Sequence, residues 1–304
     1  MGYKIKKLNK TAVLVLTGLM AAVVCWFSQP ARVTVDFLDV GQGDAMLVRS
    51  GSEEMLIDGG PDRSVLAELG RVMPFFDRTI EYAVVTHPHA DHVRGLTAVL
   101  ERYQVKKLLV SDAGTDVSEL VPLMRSARAA GTEIMEVKGG DSVRLPNAEL
   151  DILWPPTDKP PLSGRNNDGD VNDTSLVVRL SAFCAGPPAA EPFGCPAVMF
   201  AGDASVEVER RLLAGGSRLS AQVLKVGHHG SNHSTSSAWL AAVSPAAAVI
   251  EVGKNAYGHP SFALLRRLLA RGIRVWRTDL DGGIRAVLTG QGVKLSRPWF
   301  GRVR

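Results

Sequence analysis

In Val84-Val85-Thr86-His87-Pro88-His89-Ala90-Asp91-His92 an apolar run gives way at once to four metal-ligand side chains within six residues. Packing does not account for three imidazoles and a carboxylate so closely spaced. Neutral imidazole nitrogens and carboxylates are first-rank ligands for zinc and also accept manganese or iron. Read as a strand end, His87 and His89 stand at i and i+2 and face one side. Asp91 and His92 come after the turn and can serve an adjacent position. One short segment then contributes to two neighbouring ion sites. The seven histidines fall in three places: this motif, His228-His229-Gly230-Ser231-Asn232-His233, and Tyr257-Gly258-His259-Pro260.

Other candidate ligands also follow apolar runs. Asp203 ends Val198-Met199-Phe200-Ala201-Gly202. It can cap the next helix, but beside the histidines it is expected to bridge two ions, one carboxylate oxygen to each. Asp58, after Met55-Leu56-Ile57, is either an orienting partner for a ligand histidine or an ordinary turn aspartate before Gly59-Gly60. Asp44, closing the glycine-rich turn Asp39-Val40-Gly41-Gln42-Gly43-Asp44, is placed with Asp58 in the supporting shell. Neighbours in an extended chain point opposite ways, so one of His228 and His229 is expected to be a ligand. His228 is preferred, leaving His229 to touch substrate or move a proton. His233 reads as a surface histidine, and His259 as a phosphate donor or acid. Asn172, Ser175 and Ser231 are expected at the substrate. Two ions sharing a hydroxide suit hydrolysis, and no serine or cysteine nucleophile is needed.

Residues 1–31 stand apart. Lys4, Lys6, Lys7 and Lys10 precede an uncharged, mostly apolar run over 11–27. It has no polar face, so an uncleaved membrane anchor with its basic end in the cytoplasm is expected, and a cleaved signal peptide is the alternative. The domain over 32–304 would then lie outside the cytoplasm. Setting those four lysines aside, 31 basic residues balance 31 acidic ones, so contact with nucleic acid must come from a local patch. One such strip is Arg266, Arg267, Arg271, Arg274 and Arg277, whose simpler reading is a solvated helix face. In an exported chain Cys184 and Cys195 can staple the turn-rich loop between them; two buried or free thiols are the other reading.

Hydrophobic periodicity predicts strands over 33–38, 45–49, 54–57, 80–85, 105–110, 133–137, 148–154, 175–180, 197–200, 222–226, 246–252, 273–277 and 284–288. It predicts helices over 64–73, 94–103, 117–130, 206–213, 236–243 and 262–270, and a long loop over 155–173. Strand-rich and mixed stretches alternate twice. That order implies an α/β (α+β) chain of two sheets packed face to face with helices outside, an αββα four-layer sandwich, preceded by one N-terminal transmembrane or signal helix. The ligand-bearing loops all follow strands and can gather at one edge.

His87-Pro88-His89-Ala90-Asp91-His92, with Asp58 before it and Gly202-Asp203 after it, resembles the metallo-β-lactamase superfamily. The strings over 37–45, Leu224-Lys225-Val226-Gly227-His228-His229-Gly230-Ser231, Tyr257-Gly258-His259-Pro260 and Arg277-Thr278-Asp279 are similar to the β-lactamase-like domain of ComEC-type competence proteins. The resemblance covers about residues 33–290. It implies two divalent ions, zinc or manganese, and phosphodiester hydrolysis, with DNA as substrate and a competence channel as partner. His87, His89 and Asp203 would hold one ion, and Asp91, His92, Asp203 and His228 the other, with Asp91, His229 and His259 catalytic. Two departures stand out. ComEC proteins carry this domain beside many transmembrane helices, against one apolar segment here. The stretch Asn172-Asp173-Thr174-Ser175-Leu176-Val177 also lacks the histidine ligand that many superfamily members place there, leaving water or Asn172 to complete the first ion. A hydrolase of a small or cell-surface phosphodiester and a non-catalytic assembly module of a competence channel are the alternatives.

Overall fold

The computed structural model describes residues 32–111, 118–156, 171–184 and 195–298. The expected anchor over 1–31, most of the loop over 155–173 and the interior of the cysteine loop lie outside them. Among the described residues, no helix is long and apolar enough to cross a membrane.

The chain runs β1 (Val33–Phe37), β2 (Met46–Ser50), β3 (Glu53–Ile57), α1 (Ser64–Val72), β4 (Thr79–Val84), α2 (Ala90–Leu100), β5 (Gln104–Ser111), α3 (Leu120–Ala130), β6 (Glu133–Val137), β7 (Ser142–Leu145), β8 (Ala148–Trp154) and β9 (Val177–Ala182). It continues β10 (Ala197–Phe200), α4 (Val206–Ala214), β11 (Val223–Lys225), α5 (Ser237–Val243), β12 (Ala247–Ile250), α6 (Phe262–Ala270), β13 (Arg274–Arg277), α7 (Thr278–Asp281), β14 (Ile284–Thr289) and β15 (Gly292–Ser296). One sheet has the order β15-β14-β1-β2-β3-β4-β5-β6, the other β13-β12-β11-β10-β9-β8-β7. Each is antiparallel on one side and parallel on the other: β3 through β6 are parallel in the first sheet, β10 through β13 in the second.

Three apolar layers separate these elements. Val35, Phe37, Val48, Ile57, Leu150, Val178, Val198 and Phe200 fill the space between the sheets, where Phe37 and Phe200 meet at 6.2 Å between ring centroids. Leu69, Val93, Leu96, Val99 and Leu123 pack α1–α3 on the outside of the first sheet. Val208, Leu212, Trp239, Leu240, Leu264 and Leu268 pack α4–α6 on the second. The helix–sheet–sheet–helix layering expected from the sequence is therefore present in the described residues. Burying a strand on both faces removes the apolar alternation, so central parallel strands such as β10 and β12 read as continuous hydrophobic runs.

Several boundaries differ from expectation. α2 begins at Ala90, inside the histidine motif, and not near 94; His89 is its extended N-cap residue. The pair His87 and His89 is therefore not part of a strand. Asp91 lies in the helix's first turn, where a carboxylate opposes the helix dipole favourably. β7, β15 and α7 were not expected; β7 and β15 are short edge strands with partly exposed side chains, and α7 is a single turn. Cys184 and Cys195 form a disulfide.

Candidate metal centre

The candidate side chains converge where β1, β3, β4, β10, β11 and β12 end, the edge at which open parallel sheets place their ligands. Gly43 makes the first close approach possible. Its φ is +147°, and a Cβ there would run into the Asp91 carbonyl. The backbone N–H of the next residue, Asp44, donates to that same carbonyl at 3.2 Å. Asp58, at φ +57° after β3, accepts from the Thr86 N–H at 2.8 Å and the Thr86 hydroxyl at 2.6 Å. The loop after β3 is thereby pinned to the loop after β4.

Asp58 Oδ2 also accepts from His92 Nδ1 at 2.8 Å. That bond fixes the His92 tautomer and turns Nε2 into the cleft. His92 Nε2 stands 3.6 Å from Asp203 Oδ2, and His87 Nε2 stands 3.8 Å from the same oxygen. His229 directs Nε2 to Asp91 Oδ2 at 3.2 Å and to Asp203 Oδ2 at 3.7 Å. Its Nδ1 lies 3.0 Å from the Glu251 carbonyl and 3.2 Å from Asp44 Oδ1. Beneath it, Lys225 is fully buried and ion-paired to Asp44, with Nζ also 3.3 Å from the Gly202 carbonyl. Asp203 is held by its own N–H, which donates to Ser175 Oγ at 3.1 Å.

The electrostatics follow from burial among opposed charges. Burial by itself would raise the Asp203 pKa, but His229 and His92 outweigh it and hold it well below the carboxylate range. Asp91 is likewise raised by burial and driven lower by its hydrogen bond to His229 and by the charge of His92. Burial lowers His87 well below the usual histidine value, with His92 adding to the effect. Burial also opposes the charge on His229, yet Asp203 and Asp44 raise it to about 10. Glu251 is pushed well above its usual value, first by burial and then by Asp44.

His87 Nε2, His92 Nε2 and Asp203 Oδ1 are buried with no hydrogen-bond partner. Buried polar atoms are rarely left so, and orphaned ligand atoms on three neighbouring side chains fit bound divalent metal. Ligand atoms of His87, His92 and Asp203 lie within 4.8 Å of one another, as do those of Asp91, His92 and His229, and those of Asp44, Asp203 and His229.

The expected residues fall into three sets. His87, Asp91, His92 and Asp203 come together, with Asp58 and Asp44 supporting them. His89 lies at the rim, its ring 4.7 Å from that of His87. His229, and not His228, joins Asp91 and His92. Both have left-handed backbone, φ +49° and +50°, so the alternation of an extended chain does not apply. His228 is partly exposed, with Nε2 3.8 Å from Asp203. Its ring lies 5.5 Å from that of His259. Ser175 and Ser231 do not present free hydroxyls. Ser175 is fully buried beneath Asp203. Ser231 is buried, and its Oγ accepts from the His233 N–H at 3.2 Å. Asn172 is buried, with Oδ1 unpartnered.

The arginine strip is largely structural: Arg267 bonds Asn232 and Ser234, Arg271 bonds the Ser237 carbonyl, and Arg277 is paired with Asp279. Sequence reasoning missed Lys225 and Glu251. Their signal was a charge inside a buried strand run, Leu224-Lys225-Val226 and Ile250-Glu251-Val252.

Two stacked sheets flanked by helices, with a His-x-His-x-Asp-His cluster at the strand ends, define the class: residues 38–178 match the metallo-beta-lactamase superfamily, and the chain carries a domain of that family. The fold agrees with the metallo-beta-lactamase fold protein YhfI from Bacillus subtilis, which is 11% identical, with a TM-score of 0.52 over 82% of this chain and 97% of that one. Within the family the chain is similar to competence proteins. It is 29% identical over 269 residues to ComE operon protein 3 of Bacillus subtilis, covering 82% of this chain and 32% of that protein. It is 32% identical over 300 residues to competence protein ComA of Neisseria gonorrhoeae, covering 95% of this chain and 37% of that protein. The chain thus spans about a third of the length of these relatives.

Proposed function

We propose that this chain is a two-metal phosphodiesterase, a ComEC-like deoxyribonuclease that acts outside the cytoplasm in DNA uptake. The observation that carries the reading is Asp203: one buried carboxylate faces His87, His92, His228 and His229 within 3.8 Å. A carboxylate so placed can serve two neighbouring ions. His87 and Asp203, with His89 from the rim, would hold one ion; Asp91, His92, Asp203 and His229 would hold the other. His229 takes the ligand role expected of His228. Zinc and manganese both suit this nitrogen and oxygen set. Bound there, the ions would acidify a water and polarise a phosphoryl oxygen.

The protein's own groups do the rest. Asp91, whose Oδ2 lies 3.2 Å from His229 Nε2, would orient the attacking water. Burial lowers His228 and His259 below the usual histidine value, so both are neutral rings offering N–H to phosphate oxygens. Asn172 faces the substrate; Ser175 and Ser231 shape the loops that present Asp203 and the histidine pair. Three features support an exported, anchored domain over 32–304 that works beside a competence channel: the lysine-rich apolar segment over 1–31, the Cys184–Cys195 disulfide, a bond that persists in oxidising compartments, and the similarity to competence proteins.

The test compares turnover of bis-p-nitrophenyl phosphate, single-stranded DNA and duplex DNA by wild type and Asp91→Ala. The reading expects DNA cleavage that the substitution removes while the circular dichroism spectrum is kept. Metal binding with hydrolysis of the small ester alone would transfer the function to a small phosphodiester. No turnover of any of them would leave an assembly module.

A further inference from the structure

The loop between β12 and α6 carries the most exposed aromatic side chain near the cluster. Tyr257 is 77% exposed, and the backbone that carries it is tied down. Asn255 Oδ1 accepts from the backbone N–H groups of Tyr257 and His259, each at 3.1 Å. Asn255 Nδ2 donates to the carbonyls of Gly253 and His259, each at 2.9 Å. One partly buried amide thus makes four hydrogen bonds to the backbone of the loop that presents the ring. The Tyr257 ring lies 5.8 Å from that of His259 with 31° between the planes. His259 lies 5.5 Å from His228, whose Nε2 is 3.8 Å from Asp203. A row of three rings therefore leads from the ligand carboxylate to open solvent. An aromatic face exposed beside a cleft can take a planar partner by stacking.

We infer that Tyr257 is a nucleobase subsite: with a phosphate at the carboxylates, an unstacked base of a flanking nucleotide lies on the Tyr257 face. This rests on the phosphodiester reading and deepens it. Every base has a π-face, so such a platform binds without sequence preference. A base within a duplex stack offers no free face, so the subsite selects single strands and frayed ends over duplex interiors. The arrangement also favours a nucleotide polymer over an aliphatic phosphodiester, which has nothing to lay on the ring.

The test measures kcat/KM on an oligothymidylate and on an oligomer of abasic deoxyribose phosphates, for wild type, Tyr257→Ala and Tyr257→Trp. The expected result is an about ten-fold fall in the thymidylate-to-abasic ratio for Tyr257→Ala, carried by KM and restored by Tyr257→Trp. An unchanged ratio, with both polymers still cut, overturns the subsite and leaves the phosphodiester reading intact. If wild type cuts neither polymer, that reading fails, and the subsite is judged on binding alone. Fluorescence of a 2-aminopurine oligonucleotide quenched by wild type but not by Tyr257→Ala supports it, and equal quenching overturns it.

Discussion

Lys225 on β11 is ion-paired to Asp44 in the loop before β2, and neither residue has any solvent exposure. The pair joins the two sheets directly beneath the candidate ligands. Asp44 in turn faces His229 Nδ1, so the lysine acts on the site through a carboxylate and an imidazole. Burial alone would depress the Lys225 pKa, but Asp44 and Asp203 raise it, and the ammonium stays charged. Lys225→Met would leave Asp44 short of its main counter-charge. Breaking a buried pair from one side costs about 3–5 kcal/mol. Urea denaturation should show a loss of that order. A loss within experimental error would mean that the ion pair does not hold the sheets together.

Among the candidate ligands His92 has the most tightly fixed orientation, through the Asp58 bond at 2.8 Å. Asp58→Asn keeps the shape but weakens the acceptor facing Nδ1. Outer partners of this kind are worth about 10–100-fold in metal affinity. Competition with a chromogenic chelator should show a loss in that range, beside a fall in melting temperature, because the amide keeps only one acceptor oxygen for the Thr86 and His92 donors.

The two adjacent histidines should separate cleanly. His229→Ala should lower the number of ions retained per chain in native mass spectrometry. His228→Ala should retain the wild-type number while turnover of DNA falls. The reverse pattern would return the ligand role to His228.

Glu54, far from the cleft, gives a test of the fold by pH. Burial pushes its pKa from 4.5 to about 7, with Asp77 and Glu81 adding to the rise. Between these values the folded chain keeps a proton that the unfolded chain has released. The contribution is complete below pH 4.5 and is lost as pH rises through about 7. Glu54→Gln should therefore remove a fall in stability between pH 5 and 8, on the order of 1–2 kcal/mol after allowance for solvent screening. Urea midpoints at the two pH values check it.

Much of the site was legible because ligand chemistry is local. His87 to His92 and Asp203 stand where buried runs end, and the apolar periods placed most strands within a residue or two. His229, and not the preferred His228, stands with Asp91 and His92, because left-handed backbone at both residues is invisible in the sequence and breaks the alternation that favoured His228. Ser175 looked like a substrate contact because the motif shows a hydroxyl but not its burial beneath Asp203. Lys225 meets Asp44 across 181 residues, a pairing that no local spacing encodes. β15 gave little periodic signal because it is an edge strand with no fully buried side chain.

The most direct test of the two-ion account is the number of divalent ions held per folded chain, read by native mass spectrometry after loading with manganese or zinc. The account predicts two for wild type and fewer than two for Asp203→Ala, because that carboxylate serves both positions. One or no ion in wild type, or two retained without Asp203, would contradict it.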